Sequence, residues 1–341
     1  MILVTGGTGL VGSHLLFKLV SGNEKVRAIY RREKTLKRVK HVFSYFSANA
    51  EELFNKIEWV KADINDIPKL KDAFKDITHV YHCAAFVSFE PDKYLTLRKI
   101  NIHGTANIVN LCITNAVKKL CYISSIAAVG HHNNPEKLIN ENTAWNPEED
   151  NSVYAITKYG AEIEVWRGTQ EGIDSVVVNP GIILGAGYWN SGGSGNLFKK
   201  IHKGMRHYVN GITGYVDVWD VVTAMNQLMK GDIKNQSFIL VSENLSFKTF
   251  QTKTANALHV KPPTKEVKPW LLSIAWRLDW LQFKLFGKRR QLSKQSAKSI
   301  LSVSKYDNSK IRNTLNFEFK PIDESIKEVS QLYLKDINSN A

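Results

Sequence analysis

The stretch Thr5-Gly6-Gly7-Thr8-Gly9-Leu10-Val11-Gly12 decides the fold that this sequence predicts. A short apolar strand, residues 2–5, precedes the stretch, and an apolar-periodic helical pattern over residues 10–20 follows it. This order is typical of a dinucleotide-binding unit, in which free N–H groups at the helix amino end meet a pyrophosphate. The alternative is a glycine-rich turn of purely structural use. We predict cofactor contacts from Gly6, Thr8, Gly9, Leu10, Val11 and Gly12.

Outward from this turn, the first 180 residues alternate between strand-like and helix-like segments. Such alternation predicts an α/β fold with a Rossmann-type doubly wound parallel sheet. Residues 181–195 are rich in Gly, Asn and Ser and are predicted to form a loop, and mostly helical patterns follow. We expect a dinucleotide-binding Rossmann core over residues 1–180, with residues 215–240 returning to it. A smaller, mostly helical substrate-binding lobe is expected over residues 181–214 and 241–341. Strands are predicted at residues 2–5, 26–30, 57–61, 79–83, 120–124 and 175–179.

The end of the second predicted strand bears on which dinucleotide binds. An acidic residue there would favour NAD, whereas an arginine would accommodate the 2′-phosphate of NADP. Here the strand ends in Arg31-Arg32, and guanidinium groups pair well with phosphates. We therefore expect NADP(H) as the preferred cofactor, with NAD(H) as the alternative; otherwise the two arginines simply open a basic surface helix. Asp63 and Ile64 follow the third strand and are expected beside the adenine, unless Asp63 is a helix N-cap.

A second constellation points to acid–base chemistry. Tyr154 and Lys158 are four residues apart in a helical pattern, so both side chains share one helix face. A nearby ammonium lowers the pKa of a phenol, and an N-cap at Asn151 or Ser152 would add the helix dipole in the same direction. Ser125 follows a buried-looking strand and could hydrogen-bond a substrate oxygen beside Tyr154. The alternative is an exposed Tyr–Lys pair on a helix surface together with a turn serine.

Composition excludes several functional classes. The formal net charge of +14 indicates in the first place a solvated basic surface. No helix-turn-helix, zinc-finger or RNA-binding signature accompanies this charge in the sequence. Three cysteines form no CxxC pair, and His131-His132 has no suitably spaced partner for a metal. Neither a secretory signal nor an apolar run of about 20 residues is found, so we expect a cytoplasmic protein. We predict neither nucleic-acid binding nor a metal site.

Several motifs in the same order along the chain resemble the extended short-chain dehydrogenase/reductase superfamily, which includes the NAD-dependent epimerase/dehydratase family. The resemblance covers about the first 230 residues, and within the superfamily the sequence is most similar to the dihydroflavonol reductase and hydroxysteroid dehydrogenase branch. It departs from many relatives at Asn179, where they carry Arg, and at Ala128-Val129-Gly130, where the usual tyrosine is absent. These departures argue against a nucleotide-sugar substrate. The matching elements are Gly6/Gly9/Gly12, Asp63, His82-Cys83-Ala84-Ala85, Asn101, Ser124-Ser125, Tyr154/Lys158 and Asn179-Pro180-Gly181.

The resemblance implies a role for each matching residue. Tyr154 would be the acid/base, and Lys158 would bind the nicotinamide ribose and lower the pKa of that tyrosine. Ser125 would orient the substrate oxygen, and Asn101 would serve a proton relay or support the site. The residues implied to border the cofactor are Ala84, Ala85, Pro180 and Gly181.

We therefore expect an NADP(H)-dependent oxidoreductase that interconverts a carbonyl and an alcohol on a small lipophilic molecule. The alternatives are a nucleotide-sugar epimerase or dehydratase and a non-catalytic NADP-binding regulator. Residues 269–290 are Trp-rich and end in basic residues, which could place them in a membrane interface. We favour instead a lobe helix that lines an apolar pocket or a subunit contact. A homodimer is an open alternative to a monomer.

Overall fold

A computed structural model describes residues 1–132, 134–190, 193–287, 290 and 292–339. In this part of the chain, seven strands form one parallel sheet: β1 Ile2–Thr5, β2 Val26–Tyr30, β3 Glu58–Lys61, β4 His79–His82, β5 Lys119–Ile123, β6 Asp174–Pro180 and β10 Gln236–Leu240. Their order across the sheet is β10-β6-β5-β4-β1-β2-β3. The order reverses direction at β1, which places a crevice beside the carboxyl end of that strand. The prediction of a Rossmann-type doubly wound sheet is confirmed.

Helices cover both faces of this sheet because successive side chains of a strand point to opposite sides. Leu3 belongs to the core on one face and its neighbour Val4 to the core on the other, and both are fully buried. Such side chains contribute about 1.5–3 kcal/mol each when fully buried. The helices up to residue 230 are α1 Leu10–Ser21, α2 Leu36–Ser44, α3 Ala50–Asn55, α4 Ile67–Ala73, α5 Tyr94–Leu97, α6 Gly104–Thr114, α7 Val153–Gln170, α8 Ser194–His202 and α9 Val218–Lys230.

The carboxyl-terminal half contains more strand than the sequence predicts. Residues expected to be loop include β7 (Ile182–Leu184), which pairs with β9 (Ile212–Asp217), and β9 pairs in turn with β11 (Glu243–Ser246). β8 (His207–Tyr208) and β12 (Lys265–Glu266) form a further small sheet. A three-residue strand whose paired residues lie 33 positions further along the chain leaves little local signal. The remaining helices are α10 Phe247–Ala257, α11 Pro269–Phe286, α12 Lys294–Ser299, α13 Ser309–Leu315 and α14 Ile322–Ser339.

The last helix ties this half of the chain to the first. On α14, the buried Asp336 carboxylate accepts hydrogen bonds from Tyr45 Oη at 2.5 Å and from Trp189 Nε1 at 2.6 Å. His41 Nε2 lies 2.9 Å from the same carboxylate oxygen. One carboxylate therefore holds α2, the segment after β7 and α14 together. Among the residues that the structure describes, no helix has the length and apolar character needed to span a bilayer.

Candidate active site

Six of the predicted site residues lie along one edge of the parallel sheet. Each of the six follows, or ends, a different strand, and the carboxyl ends of parallel strands border the ligand crevice in folds of this type. The fold therefore brings together residues that are up to 174 positions apart in sequence. In strand order they are Gly6 after β1, Arg31 after β2, Asp63 after β3, Ala84 after β4, Ser125 after β5 and Pro180 at the end of β6.

The glycine turn is shaped by close backbone packing. Gly6 has φ +68°, and a Cβ there would lie 2.5 Å from the backbone N of Ala84. At Gly12 a Cβ would lie 2.2 Å from the carbonyl oxygen of Gly6, so side chains are excluded at both positions. A Cβ at Gly9 would meet only that same oxygen, at 3.3 Å, so the other side of Gly9 is open. The turn leads into α1 at Leu10, where helix N–H groups and the dipole favour an anion. These features fit a dinucleotide pyrophosphate.

A cavity of about 510 Å³ lies at the β2–β3 end of this edge. Arg31 Nη1 is 3.6 Å from Asp63 Oδ2 across it. Asp63 Oδ1 also accepts hydrogen bonds from the backbone N of Asn65 at 2.9 Å and from its side-chain amide. The N-cap of α4 is Asp66, so the alternative that Asp63 is the helix cap is wrong. The cavity is lined by Arg31, Asp63, Asn65, Asp66, Leu95, Thr96, Lys99 and Ile100.

Asn101 holds the segment that follows β4. Its side-chain oxygen accepts a hydrogen bond from the backbone N of Phe86 at 2.8 Å, and its amide donates to the Phe86 carbonyl at 3.0 Å. The same amide donates to Thr157 Oγ1 on α7 at 3.2 Å. Asn101 lies in a π-helical turn, Arg98–His103, between α5 and α6, and such turns are frequent at functional sites. This geometry favours support of the site over a proton relay.

Tyr154 lies in the first turn of α7. Ser152 is the N-cap, and its side chain accepts a hydrogen bond from the backbone N of Ala155 at 3.1 Å, which confirms one of the two predicted caps. Burial raises the pKa of the Tyr154 phenol to about 12, while interaction with the Ser125 hydroxyl lowers it in part. Tyr154 and Ser125 are therefore brought together as predicted, and the phenol carries its proton at neutral pH. The alternative interpretation, an exposed Tyr–Lys pair on a helix surface, is wrong because Tyr154 and Lys158 are both buried.

Lys158 is held beneath the crevice by atoms of β5. Its Nζ donates to Tyr122 Oη and to the Ile123 carbonyl, both at 2.7 Å, and lies 4.4 Å from the centre of the Tyr122 ring. The expectation that Lys158 lowers the pKa of Tyr154 is not met in this structure, because burial raises that pKa and the ammonium pairs elsewhere. Burial also lowers the pKa of Lys158 itself to about 7, against the opposing charge of Glu162.

Two residues near the site, Tyr122 and Glu162, were not predicted from the sequence. A third, Asn179, was matched to the family but given no role. The Asn179 amide donates to Glu162 Oε1 at 2.5 Å and to the Ser125 carbonyl at 3.1 Å. Burial raises the pKa of Glu162. Its position four residues after Lys158, on the same helix face, was the available signal. Asn179 thus fixes the backbone of Ser125.

Pro180 and Gly181 follow Asn179 at the end of β6. A Cβ at Gly181 would lie 2.4 Å from the carbonyl oxygen of Gly214, so close packing against β9 requires glycine here. Packing against β9 is therefore a structural reason for a glycine at position 181, in addition to the predicted position of this residue near the nicotinamide. Ala84 and Ala85 follow β4, where the Ala84 backbone N donates to Thr5 Oγ1 at 3.3 Å.

The pKa of Lys158 leads to a prediction about stability. Below pH 7 the folded chain must keep a buried ammonium, whereas between about pH 7 and 10 the folded state releases that proton before the unfolded state does. Stability should therefore rise with pH across this window, by about 5 kcal/mol for a shift of about 3.5 pKa units. In Lys158→Met this rise should be absent. Urea unfolding of both proteins at several pH values measures the difference, and parallel curves would contradict the assignment.

The sheet order, the glycine turn and the set of Ser125, Tyr154 and Lys158 together define a Rossmann-type, NAD(P)-binding class of enzyme. The family model described as "NAD dependent epimerase/dehydratase family" matches residues 2–239, and the chain belongs to this family. It is thus an NAD(P)-dependent enzyme of the extended short-chain dehydrogenase/reductase superfamily, as the sequence resemblance implied.

Individual relatives agree with this assignment. The chain is 27% identical over 316 residues to sterol demethylase protein B of Methylococcus capsulatus, covering 92% of each protein. It is 27% identical over 233 residues to cinnamoyl-CoA reductase 1 of Petunia hybrida, covering 66% of this chain and 67% of the reductase. Among solved structures, UDP-glucose 4-epimerase of Thermotoga maritima superposes with a TM-score of 0.77 at 19% identity, covering 98% and 99% of the two chains.

Proposed function

We propose that this chain is an NADP(H)-dependent oxidoreductase that interconverts a carbonyl and an alcohol on a small lipophilic molecule. The observation that carries this proposal is the buried Tyr154 phenol, which interacts with the Ser125 hydroxyl at the edge of the sheet that also holds the glycine turn. A proton donor and a second hydroxyl beside a nucleotide crevice suit reduction of a carbonyl. Net loss of NADPH in the presence of carbonyl compounds is the experiment that tests it.

Each residue of the site has a distinct task in this proposal. The bound dinucleotide would supply the hydride. Tyr154, which is protonated at neutral pH because its pKa is about 12, would donate its proton to the substrate oxygen. Ser125 would orient that oxygen, and Asn179 would keep Ser125 in place through its carbonyl. Lys158, hydrogen-bonded to Tyr122 and Ile123, would contact the nicotinamide ribose.

An aromatic side chain beside Tyr154 supports a lipophilic substrate. The ring of Phe89 lies 5.3 Å from the ring of Tyr154 in an edge-on arrangement, and Phe89 remains about half exposed. A phenol bordered by a half-exposed aromatic ring favours an apolar ligand, because such a ligand removes the surface of that ring from water. The names of the relatives, a sterol demethylase protein and a cinnamoyl-CoA reductase, point the same way.

The two other functions fit less well. The likeness to UDP-glucose 4-epimerase, at 19% identity, concerns the fold, and a fold alone does not select a substrate. A regulator that only binds NADP has no need for an acid/base, whereas Ser125, Tyr154 and Lys158 form an intact set. Both alternatives predict that no net NADPH is consumed.

The preference for NADP(H) rests on Arg31, with Arg32 next to it. The Arg31 side chain is 61% exposed and borders the cavity at the β2–β3 end, where it is available to a 2′-phosphate. We expect Arg31→Gln to raise the Kd for NADPH at least ~10-fold, because a charge-assisted hydrogen bond contributes about 1.5–3 kcal/mol. The Kd for NADH should change little. Fluorescence titration with both nucleotides measures this, with Lys75→Gln as a control that removes one exposed charge elsewhere. Equal weakening of both nucleotides by Arg31→Gln would contradict it.

A further inference from the structure

Helix α11 exposes an apolar surface of unusual extent. Over its 18 residues, all of them described, Leu272 is the buried one. The favoured interpretation of this segment is a lobe helix that lines an apolar pocket or a subunit contact. Most of its side chains face outward, so they do not line an enclosed pocket, while the subunit contact stays an untested alternative. The exposed large apolar side chains are Trp270, Leu271, Ile274, Leu278, Trp280, Leu281, Phe283, Leu285 and Phe286.

These side chains are arranged as a stripe rather than scattered. Trp270, Ile274, Leu278, Leu281 and Leu285 follow one another at intervals of three or four residues, so they lie along one face of the helix. Single exposed apolar residues are normal on a protein surface, but a continuous stripe marks an interaction site. The stripe is therefore a candidate docking surface.

Charge distinguishes among the partners that could cover this stripe. Arg277 and Lys284 are seven residues apart and lie along one border of it, each over a tryptophan ring, Trp276 at 4.6 Å and Trp280 at 5.2 Å. The single acidic residue of α11, Asp279, is mostly buried and lies 3.7 Å from Arg290. The outward face is therefore apolar and cationic, with no carboxylate.

We propose that α11 docks on an anionic phospholipid surface, with its axis parallel to the membrane plane. An apolar face of Trp, Leu and Phe bordered by Lys and Arg suits the boundary between acyl chains and anionic headgroups. The net charge of +14 adds attraction to the same surface. A second copy of this chain fits less well, because two such faces in contact would gather four cations and no outward carboxylate to pair with them.

The segment that follows α11 reaches the entrance of the candidate site, which we place at Phe89. Ser293, the N-cap of α12, donates a hydrogen bond from its Oγ to the carbonyl of Phe89 at 3.4 Å. Phe89 in turn packs against Tyr154. Docking through α11 would hold this entrance near the lipid surface, so the substrate would be a molecule dissolved in the membrane. This consequence for the substrate rests on the proposed function, whereas the docking does not.

Vesicle flotation of the full chain tests the docking without any substrate. The protein should float with vesicles of phosphatidylcholine and phosphatidylglycerol. Leu278→Gln/Leu281→Gln should lower the partition coefficient at least ~50-fold, since two leucines leave the apolar phase. Arg277→Gln/Lys284→Gln should lower it about 30-fold, at about 1 kcal/mol for each cation. Leu138→Gln, which makes the same kind of change at an exposed site outside α11, should float like the parent protein.

NADPH binding and thermal unfolding of each variant establish that it is folded, since none of these side chains is part of the candidate active site. Flotation that is absent from the parent protein, or unchanged in both double variants, would overturn the proposal. The proposal would also be overturned if the parent protein were a dimer that binds no vesicles and that Leu278→Gln/Leu281→Gln converts to monomers. If flotation follows the prediction but carbonyl compounds consume no NADPH, the proposed function fails and the docking surface stands.

Discussion

Replacing Tyr154 with phenylalanine is expected to lower kcat by ~10³-fold or more and to leave the Kd for NADPH nearly unchanged. The substitution removes the hydroxyl that donates the proton. General acid catalysis typically contributes roughly 10²–10⁴-fold to the rate. It keeps the ring, which packs against Phe89 at 5.3 Å and is almost fully buried. Steady-state rates with an active carbonyl compound, together with NADPH titration, separate the loss of chemistry from the loss of binding.

Tyr159→Phe is the matched control for this experiment. Tyr159 lies on the same helix, α7, and its ring stacks on Trp145 with the ring centres 4.5 Å apart. The same hydroxyl is removed there outside the candidate site, so kcat should stay close to that of the parent protein. A Tyr154→Phe protein that turns over at the parental rate would refute the assignment of Tyr154 as the acid.

Gly9→Val is expected to raise the Kd for NADPH at least ~30-fold without unfolding the protein. Gly9 has φ −96°, which other residues adopt readily, and a Cβ there would contact only the Gly6 carbonyl oxygen at 3.3 Å. The added methyl groups would instead occupy the open side of the turn, where we place the pyrophosphate. Overpacking of this kind costs about 1–3 kcal/mol. Titration with NADPH and thermal unfolding measure the two effects separately.

Gly231→Val offers the same local change elsewhere in the chain. Gly231 ends α9 with φ −85°, and a Cβ there would also lie 3.3 Å from one carbonyl oxygen, that of Gln227. The two variants should therefore lose similar stability, while Gly231→Val binds NADPH normally. Parental NADPH affinity in Gly9→Val would show that this turn does not hold the pyrophosphate.

The parts of the fold that the sequence predicts well are those fixed by local patterns. Strand β1, the glycine turn and α1 follow one another without a gap, and Ser152 precedes its helix as a hydrogen-bonding cap. Each of these depends on neighbours in sequence, through strand alternation, backbone sterics or capping. The predicted strand and helix boundaries in this region accordingly differ from the structure by a residue or so.

The features that escaped prediction depend on distant residues. β7 forms because it pairs with β9, and residues 182–184, Ile-Ile-Leu, are too short an apolar run to predict a strand by themselves. The pKa of Tyr154 is set by burial, which a sequence motif does not report, so the expected influence of Lys158 was misjudged. The contact of Lys158 with Tyr122 joins a helix to a strand 36 residues away. The exposure of α11 likewise follows from tertiary packing, because an amphipathic pattern looks the same on a buried and on a surface helix.

The most direct test of the account is the fate of NADPH when the purified protein meets two sets of compounds side by side. One set contains aromatic aldehydes and sterol ketones, and the other contains UDP- and dTDP-sugars. We predict net loss of the NADPH absorbance, with formation of the matching alcohol, in the first set alone. Conversion of a sugar nucleotide with no net loss of NADPH, and no reaction in the first set, would contradict the account.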